Sequence, residues 1–208
     1  MKRFWIFLVL TLIPVTGCSS LLLPKSPPPV YYLLEYKSVG VKCAKSFTGG
    51  LRVWDFITSS PFDQSDMVVI DHEQKVSFSS SFQWIAHPGT MVAESLLRDL
   101  NEGSLFPQVI SGDSPIDVSL ALTGHVFTFA WMRQGSTARA MLEVEVGLSS
   151  TEAPGRLILH RTYQVKSEPF IENTAAAFAK AMSEIVGQFS QQLQGDLCNV
   201  ANTGLQES

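Results

Sequence analysis

The sequence has few charged residues, no basic cluster and no apolar run long enough to span a membrane. Only 16% of its 208 residues are charged, and the formal net charge is -4. Proteins that bind phosphate backbones need clustered Lys and Arg, so nucleic-acid binding is excluded. The longest apolar run, residues 4–13, is shorter than the roughly 20 residues of a membrane-spanning helix, and Pro14 blocks its extension.

Motifs of the common catalytic and metal sites are also missing. The chain has no G-x-S-x-G, Walker, C-x-x-C or H-E-x-x-H sequence. Ser79–Ser81 precede His87, but no oxyanion motif accompanies this nucleophile and base pair. Scattered histidines are more often solvated or structural than metal ligands, and we predict no metal, no cofactor and no catalytic residue. The four histidines fall in separate predicted elements: His72, His87, His125 and His160.

The chain does contain an N-terminal export signal. Lys2 and Arg3 precede the apolar run, and the small residues at 15–17 lead into Cys18. This pattern is typical of a secretory signal, and it resembles the bacterial lipoprotein signal, in which the cysteine is acylated after cleavage just before it. The resemblance implies lipidation at Cys18, and Ser19 in place of Asp implies the periplasmic face of the outer membrane. The alternative is an ordinary cleaved signal peptide.

Composition divides the chain into four predicted segments. We predict a signal peptide at 1–17, a lipidated Pro-rich tether at 18–30, one domain at 31–198 and a flexible tail at 199–208. The tether contains Pro24 and Pro27–Pro29, which favour extended polyproline II. It would hold the folded domain away from the membrane.

The three cysteines suggest one disulfide bond. If Cys18 carries lipid, Cys43 and Cys198 remain as a pair in an oxidising compartment. In the chain-entropy model, closing their loop of about 155 residues stabilises the fold by at most 4 to 5 kcal/mol. The alternative is two buried thiols.

Hydrophobic periodicity predicts an α+β domain with a mainly antiparallel sheet and two amphipathic helices packed on one face. One helix opens at Pro88 or Thr90 and ends at Gly103, and a second runs over 171–193. The predicted strands lie at 31–34, 51–57, 67–70, 75–78, 116–131, 138–148 and 157–165, the last three as a meander turned at Pro154-Gly155.

The long strand changes its alternation beside Gly124, which indicates a β-bulge or a sharp bend. The large residues beyond that point are Phe127, Phe129 and Trp131. They either line an apolar binding groove or subunit contact, or pack in the core.

Several stretches, taken in order, resemble the ABC-type transport auxiliary lipoproteins, the outer-membrane partners of MCE-domain lipid transport systems such as the paraquat-inducible one. They are the lipobox cysteine, YYLLEY after the tether, LRVWDFITSSPFDQSDMVV, FQWIAHPGTMVAESLLRDLNEGSLFPQVI and the Ala- and Phe-rich closing helix. The similarity covers about residues 31–193. The Cys43/Cys198 pair is not a feature that the resemblance supplies.

This resemblance implies a binding role without catalysis. The expected partners are an MCE-domain periplasmic protein, the outer membrane through the lipid anchor, and phospholipid, and a homo-oligomer is compatible with the family. Two other classes remain open: a structural or assembly lipoprotein that scaffolds another envelope complex without handling lipid, and an envelope hydrolase.

Overall fold

The computed structural model of the protein describes residues 27–153, 156–171 and 174–204. The predicted signal peptide, the lipidation site at Cys18, most of the tether and the Pro154-Gly155 turn lie outside them, as do residues 205–208. The described residues contain no helix that is both long enough and apolar enough to cross a bilayer. The elements are β1 (Val30–Tyr32), β2 (Leu51–Val53), β3 (Ile57–Thr58), β4 (Asp66–Ile70), β5 (Val76–Trp84), α1 (Pro88–Glu102), β6 (Val109–Ser111), β7 (Leu120–Gln134), β8 (Thr137–Ser150), β9 (Leu157–Lys166) and α2 (Ala175–Thr203).

The longest strand, β7, organises the sheet. Along one edge it pairs antiparallel with β8, which pairs antiparallel with β9, so the predicted meander is confirmed. Along its other edge it pairs in parallel with β2, then β3, then β4. β6 adds in parallel beyond β2, while β5 and then β1 add beyond β4. The expectation of a mainly antiparallel sheet is therefore corrected to a mixed sheet, because parallel neighbours need long crossover connections that leave no local pattern in the sequence.

The predicted phase slip in β7 is a β-bulge. Val126 pairs with Val144 and Thr128 with Glu143, so Phe127 has no partner on β8. One extra residue reverses the alternation, which turns Phe129 toward the same buried face as Val126. The bulge lies just beyond Gly124, as the sequence pattern indicated.

The predicted hairpin joins β4 and β5 antiparallel, with β5 continuing to Trp84. Its turn uses neither Asn-Gly nor Asp-Gly. Instead, Asp71 Oδ1 accepts hydrogen bonds from the backbone N–H groups of Glu73 (2.8 Å) and Lys75 (2.9 Å), and Gln74 adopts a φ of 64°. These backbone hydrogen bonds, that from Lys75 first, lower the pKa of the Asp71 carboxyl.

The first helix has the predicted limits, with Pro88 at its first turn and Gly103 as its C-cap. The second helix differs. Thr174 caps it by accepting a hydrogen bond from the Ala177 N–H (3.2 Å), and it continues ten residues beyond Leu193 to Thr203. The flexible tail is therefore wrong for residues 199–203, because Leu197 and Cys198 prolong the apolar stripe and are buried.

Both helices pack on one face of the sheet and enclose a single core. Alternate residues of β8 from Ala138 to Leu148 point into it and are buried, while the residues between them are partly exposed. Trp84 meets Phe129 edge to face at 5.2 Å and Phe178 at 5.5 Å, and Trp131 stacks on Phe178 at 5.2 Å. Such aromatic pairs join β5, β7 and α2 through one cluster.

Candidate functional site

The segment at residues 33–45, which we call the strap, runs along α2 in an extended form outside any strand. Its backbone N–H groups bond to polar side chains of the helix: Glu35 to Ser183 Oγ (3.0 Å), Val41 to Gln194 Oε1 (3.0 Å) and Lys45 to Asn202 Oδ1 (3.1 Å). Ser183 and Gln194 are buried, so the strap gives α2 a second covered side.

The two cysteines lie within this series of contacts. The structure joins Cys43 on the strap to Cys198 on α2, with their Cα atoms 5.5 Å apart. That separation is the usual one for a disulfide. The bond would fasten the strap to the last turns of the helix.

A buried carboxylate anchors the strap to α1. Asp99 is 1% exposed, and it accepts a hydrogen bond from the Tyr36 hydroxyl at 2.6 Å and two from the Arg98 guanidinium at 3.0 and 3.1 Å. Arg98 also lies over the Tyr36 ring. Burial, and then the hydrogen bond to Asp99, raises the pKa of Tyr36 well above its ordinary value. The group holds a neutral phenol against a paired carboxylate, an arrangement that stabilises packing.

The four histidines do not come together. His72 lies 3.8 Å from Glu73, His87 lies 2.9 Å from Asp63, and His160 lies 3.3 Å from Glu145. His125 contacts a serine. No group of three potential ligands from His, Cys, Asp and Glu that could hold a metal ion occurs among the residues that the structure describes.

One serine and histidine pair was not predicted from the sequence. Ser59 Oγ lies 2.7 Å from His125 Nε2, whereas Ser79–Ser81 and His87, which were considered from the sequence and set aside, are on β5 and at the N-cap of α1. The His125 ring also stacks on Phe127 at 4.3 Å. Within the described residues no carboxylate hydrogen-bonds to His125, so nothing there orients it as a base. The pair joins the end of β3 to β7, and residues this far apart in sequence give no local signal.

The three aromatic residues after Gly124 occupy two different environments. Phe129 and Trp131 are buried in the core at 1% and 6% exposure, whereas Phe127 sits in the bulge and is partly exposed. For Phe129 and Trp131 the structure therefore supports core packing, because the bulge turns them toward α2.

A cleft of about 570 Å³ lies between β2 and α1. Trp54 forms part of its wall, and the carboxylate residues Asp55, Glu94 and Asp113 line it. Asp55 accepts a weak hydrogen bond from the Thr90 hydroxyl at 3.3 Å, and Asp113 accepts one from Ser111. The cleft is acidic and open, and the two hydroxyl groups in its lining, those of Thr90 and Ser111, are both bonded to carboxylates.

The sheet edge at β1 carries a cluster of exposed apolar side chains, which we call the apolar edge. It includes parts of β1 and β5 and the residue after each strand. Exposure of its members ranges from 37% to 61%. The members are Val30, Tyr31, Leu33, Phe82 and Ile85.

Solved structures share this fold. A DUF330 protein from Xanthomonas campestris superposes with a TM-score of 0.74 at 18% identity, covering 84% of this chain and 97% of the other. An uncharacterised protein gives a TM-score of 0.52 at 12% identity, with coverages of 83% and 98%. A hypothetical protein from Chlamydia trachomatis gives 0.50 at 6% identity, with coverages of 77% and 100%. At these identities the likeness shows the fold alone.

Sequence comparison identifies the family. No curated protein matches this sequence at a significant level. The family model for the ABC-type transport auxiliary lipoprotein component matches residues 59–194, which include β4 to β9, α1 and most of α2. The match covers more than half of the chain and agrees with the family that the sequence motifs resemble. The chain belongs to the ABC-type transport auxiliary lipoprotein family.

Proposed function

We propose that this protein is a non-catalytic docking component of an MCE-type ABC lipid transport system, anchored to the periplasmic face of the outer membrane by lipid on Cys18. The family match over residues 59–194 carries the proposal, because it identifies the chain as an auxiliary part of an ABC transport system. The MCE partner and the outer membrane follow from the motif resemblance and from Ser19 after the lipobox cysteine.

The geometry of the domain supports binding over catalysis. The strap, the Tyr36–Asp99 group and the Ser59–His125 pair each connect one element to another. Several large apolar residues are exposed, and such residues can contact a partner protein or a membrane. We therefore expect the function to depend on the surface of the domain and on its lipid anchor.

Co-purification from envelope membranes tests the proposal. The tagged protein should recover the MCE-domain protein of the same cell after mild crosslinking, whereas an unrelated outer-membrane lipoprotein with the same tag should not. Recovery of a different envelope complex, with no MCE protein, would instead support the structural or assembly class.

A reactive-serine probe tests the hydrolase class. The probe should leave the wild-type protein and a Ser59→Ala variant equally unlabelled. Labelling of the wild type that disappears in Ser59→Ala would establish a nucleophile at the Ser59–His125 pair and contradict a non-catalytic role.

A further inference from the structure

The apolar edge is concentrated in one place on the surface. Within the described residues the exposed large hydrophobic side chains number thirteen, and five of them form the apolar edge. Two more, Val76 and Phe78, lie further along β5. Scattered single apolar residues are normal on a protein surface, whereas several on two paired strands are typical of a contact site.

Strand pairing brings the members of the apolar edge together. Val30 lies opposite Phe82 and Tyr31 opposite Gln83, and the Ile85 N–H donates a hydrogen bond to the Tyr32 carbonyl at 2.8 Å. Because side chains alternate along a strand, Val30 and Phe82 project to one side of the sheet and Tyr31 to the other. A surface that meets β1 edge-on can therefore contact residues on both sides of the sheet.

The two segments that form the apolar edge carry no charge of their own, and a neighbouring carboxylate, Asp66 on β4, is paired with the Gln83 side chain at 2.6 Å. Residues 26–34 and 76–86 contain no Asp, Glu, Lys or Arg, although 16% of the whole chain is charged. The polar side chains present are Ser, Gln and Tyr, which need no counter-ion. Such a surface can enter a membrane interface without the cost of removing a charge from water.

The position of the apolar edge in the sequence, close to Cys18, favours the bilayer as its partner. Cys18 precedes Val30 by twelve residues, which span at most about 40 Å even when fully extended. A short connection gives the edge a high effective concentration at the bilayer, so weak apolar contacts are enough to hold it there. Tyr31 adds an amphipathic ring of the type enriched at membrane interfaces.

We propose that the apolar edge is a second membrane contact, through which β1 and the end of β5 rest in the headgroup region of the leaflet that holds the lipid anchor. The inference rests on the proposed anchor at Cys18. Contact at the headgroups, and not in the hydrocarbon, follows because β1 is a sheet edge whose outward N–H and C=O groups need water. The contact would orient the domain, with β9, at the opposite side of the sheet, directed away from the bilayer.

Site-specific photocrosslinking in growing cells tests the proposal with the full-length protein. Benzoylphenylalanine is placed at the position of Tyr31 or Ile85, and in matched controls at Ile116 or Leu157, which are similarly exposed apolar residues outside the edge. Mass spectrometry of the purified protein should show phospholipid adducts at positions 31 and 85, with a yield several-fold higher than at 116 and 157.

Each other outcome overturns the proposal. Adducts with another protein or with a second copy of this chain at 31 and 85 would make the edge a protein interface, and equal lipid yield at all four positions would make the contact nonspecific. Palmitate labelling of the same samples separates this inference from the anchor. An unlabelled protein refutes lipidation at Cys18, while the comparison between edge and control positions still decides whether the edge meets lipid.

Discussion

At the scale of single residues, the informative features are polar groups that the fold buries. Asp99 is almost fully enclosed, yet it keeps hydrogen bonds from Tyr36 and Arg98. Ser183 and Gln194 are also buried and accept hydrogen bonds from backbone N–H groups of the strap. Buried polar groups are costly when they lose a partner, so these residues define where substitution should matter most.

Replacing Tyr36 by Phe should lower the free energy of unfolding by about 1–3 kcal/mol, because Asp99 then loses a hydrogen-bond donor while it stays buried. Urea unfolding monitored by tryptophan fluorescence measures this change. Tyr31→Phe is the matched control, since Tyr31 is exposed and should change stability little. Equal loss in both variants would contradict the role assigned to Asp99.

Two tyrosines should make stability fall in alkaline solution. Burial, followed by a hydrogen bond to Asp99 or Asp196, raises the pKa values of Tyr36 and Tyr163. An unfolded tyrosine releases its proton near pH 10, whereas these two keep theirs, so the folded state binds more protons above that pH. Stability from these groups is complete below about pH 10 and declines as pH rises further. A Tyr36→Phe, Tyr163→Phe double variant should lose less stability between pH 9 and 11 than the wild type.

The sequence predicted residue roles only where a local pattern or a count constrained them. The pairing of Cys43 with Cys198 could be proposed because only two cysteines remain after Cys18. The Tyr36–Asp99 and Ser59–His125 contacts join residues far apart in the chain, and their residue types have many other uses. No single-sequence signal identifies such pairs.

At the scale of elements, periodicity predicted α1, the β4–β5 hairpin and the three-strand meander, because each is held by neighbours in sequence. The parallel pairing of β2, β3 and β4 with β7 was missed, since those partners lie many residues away. The end of α2 was also missed. Beyond Leu193 the apolar stripe continues only through Leu197 and Cys198, and the strap buries the polar residue Gln194 beside it, so the periodicity there is weak.

Two glycines of α2 distinguish the covered side from the open side. A Cβ at Gly187 would lie 2.8 Å from the Tyr36 ring, whereas a Cβ at Gly195 would meet nothing within 4 Å. Gly195→Ala should therefore raise the free energy of unfolding by about 0.5–1 kcal/mol through helix propensity. Gly187→Ala should lower it, because the ring must shift against its bond to Asp99. Thermal unfolding of the two variants measures these changes. Stabilisation by both substitutions would contradict the packing of Tyr36 against Gly187.

Substitution of the two cysteines tests whether a disulfide holds the strap to α2. Protein from the periplasm should show no free thiol at Cys43 or Cys198 until it is reduced. Cys43→Ser and Cys198→Ser should each lower the free energy of unfolding by a similar amount, at most about 4 to 5 kcal/mol. The double variant should lose no more, because both substitutions remove the same bond. Alkylation of both cysteines without reductant, read by peptide mass spectrometry, would refute the disulfide.

At the scale of the whole molecule, the domain is organised around β7, and the proposed tether would attach it to the membrane at its N-terminal end. The two helices and the strap cover one face of the sheet, and the apolar edge follows directly on the proposed tether. The family relationship gives the transport context, and the fold shared with solved structures agrees with it only at the level of architecture. Activity should then depend on attachment and reach more than on any single polar side chain.

Detergent sensitivity of a deletion strain that carries each variant at equal expression tests most directly whether function depends on the lipid anchor and the tether. Alanine at His72, His87, Ser59, His125, His160 or any of Ser79–Ser81 should restore the envelope barrier almost fully. Cys18→Ser, which removes the lipid acceptor, and deletion of residues 21–29, which shortens the reach of the domain, should each fail to restore it. A single histidine or serine variant that is stable, correctly localised and inactive would contradict the account, as would a fully active Cys18→Ser protein.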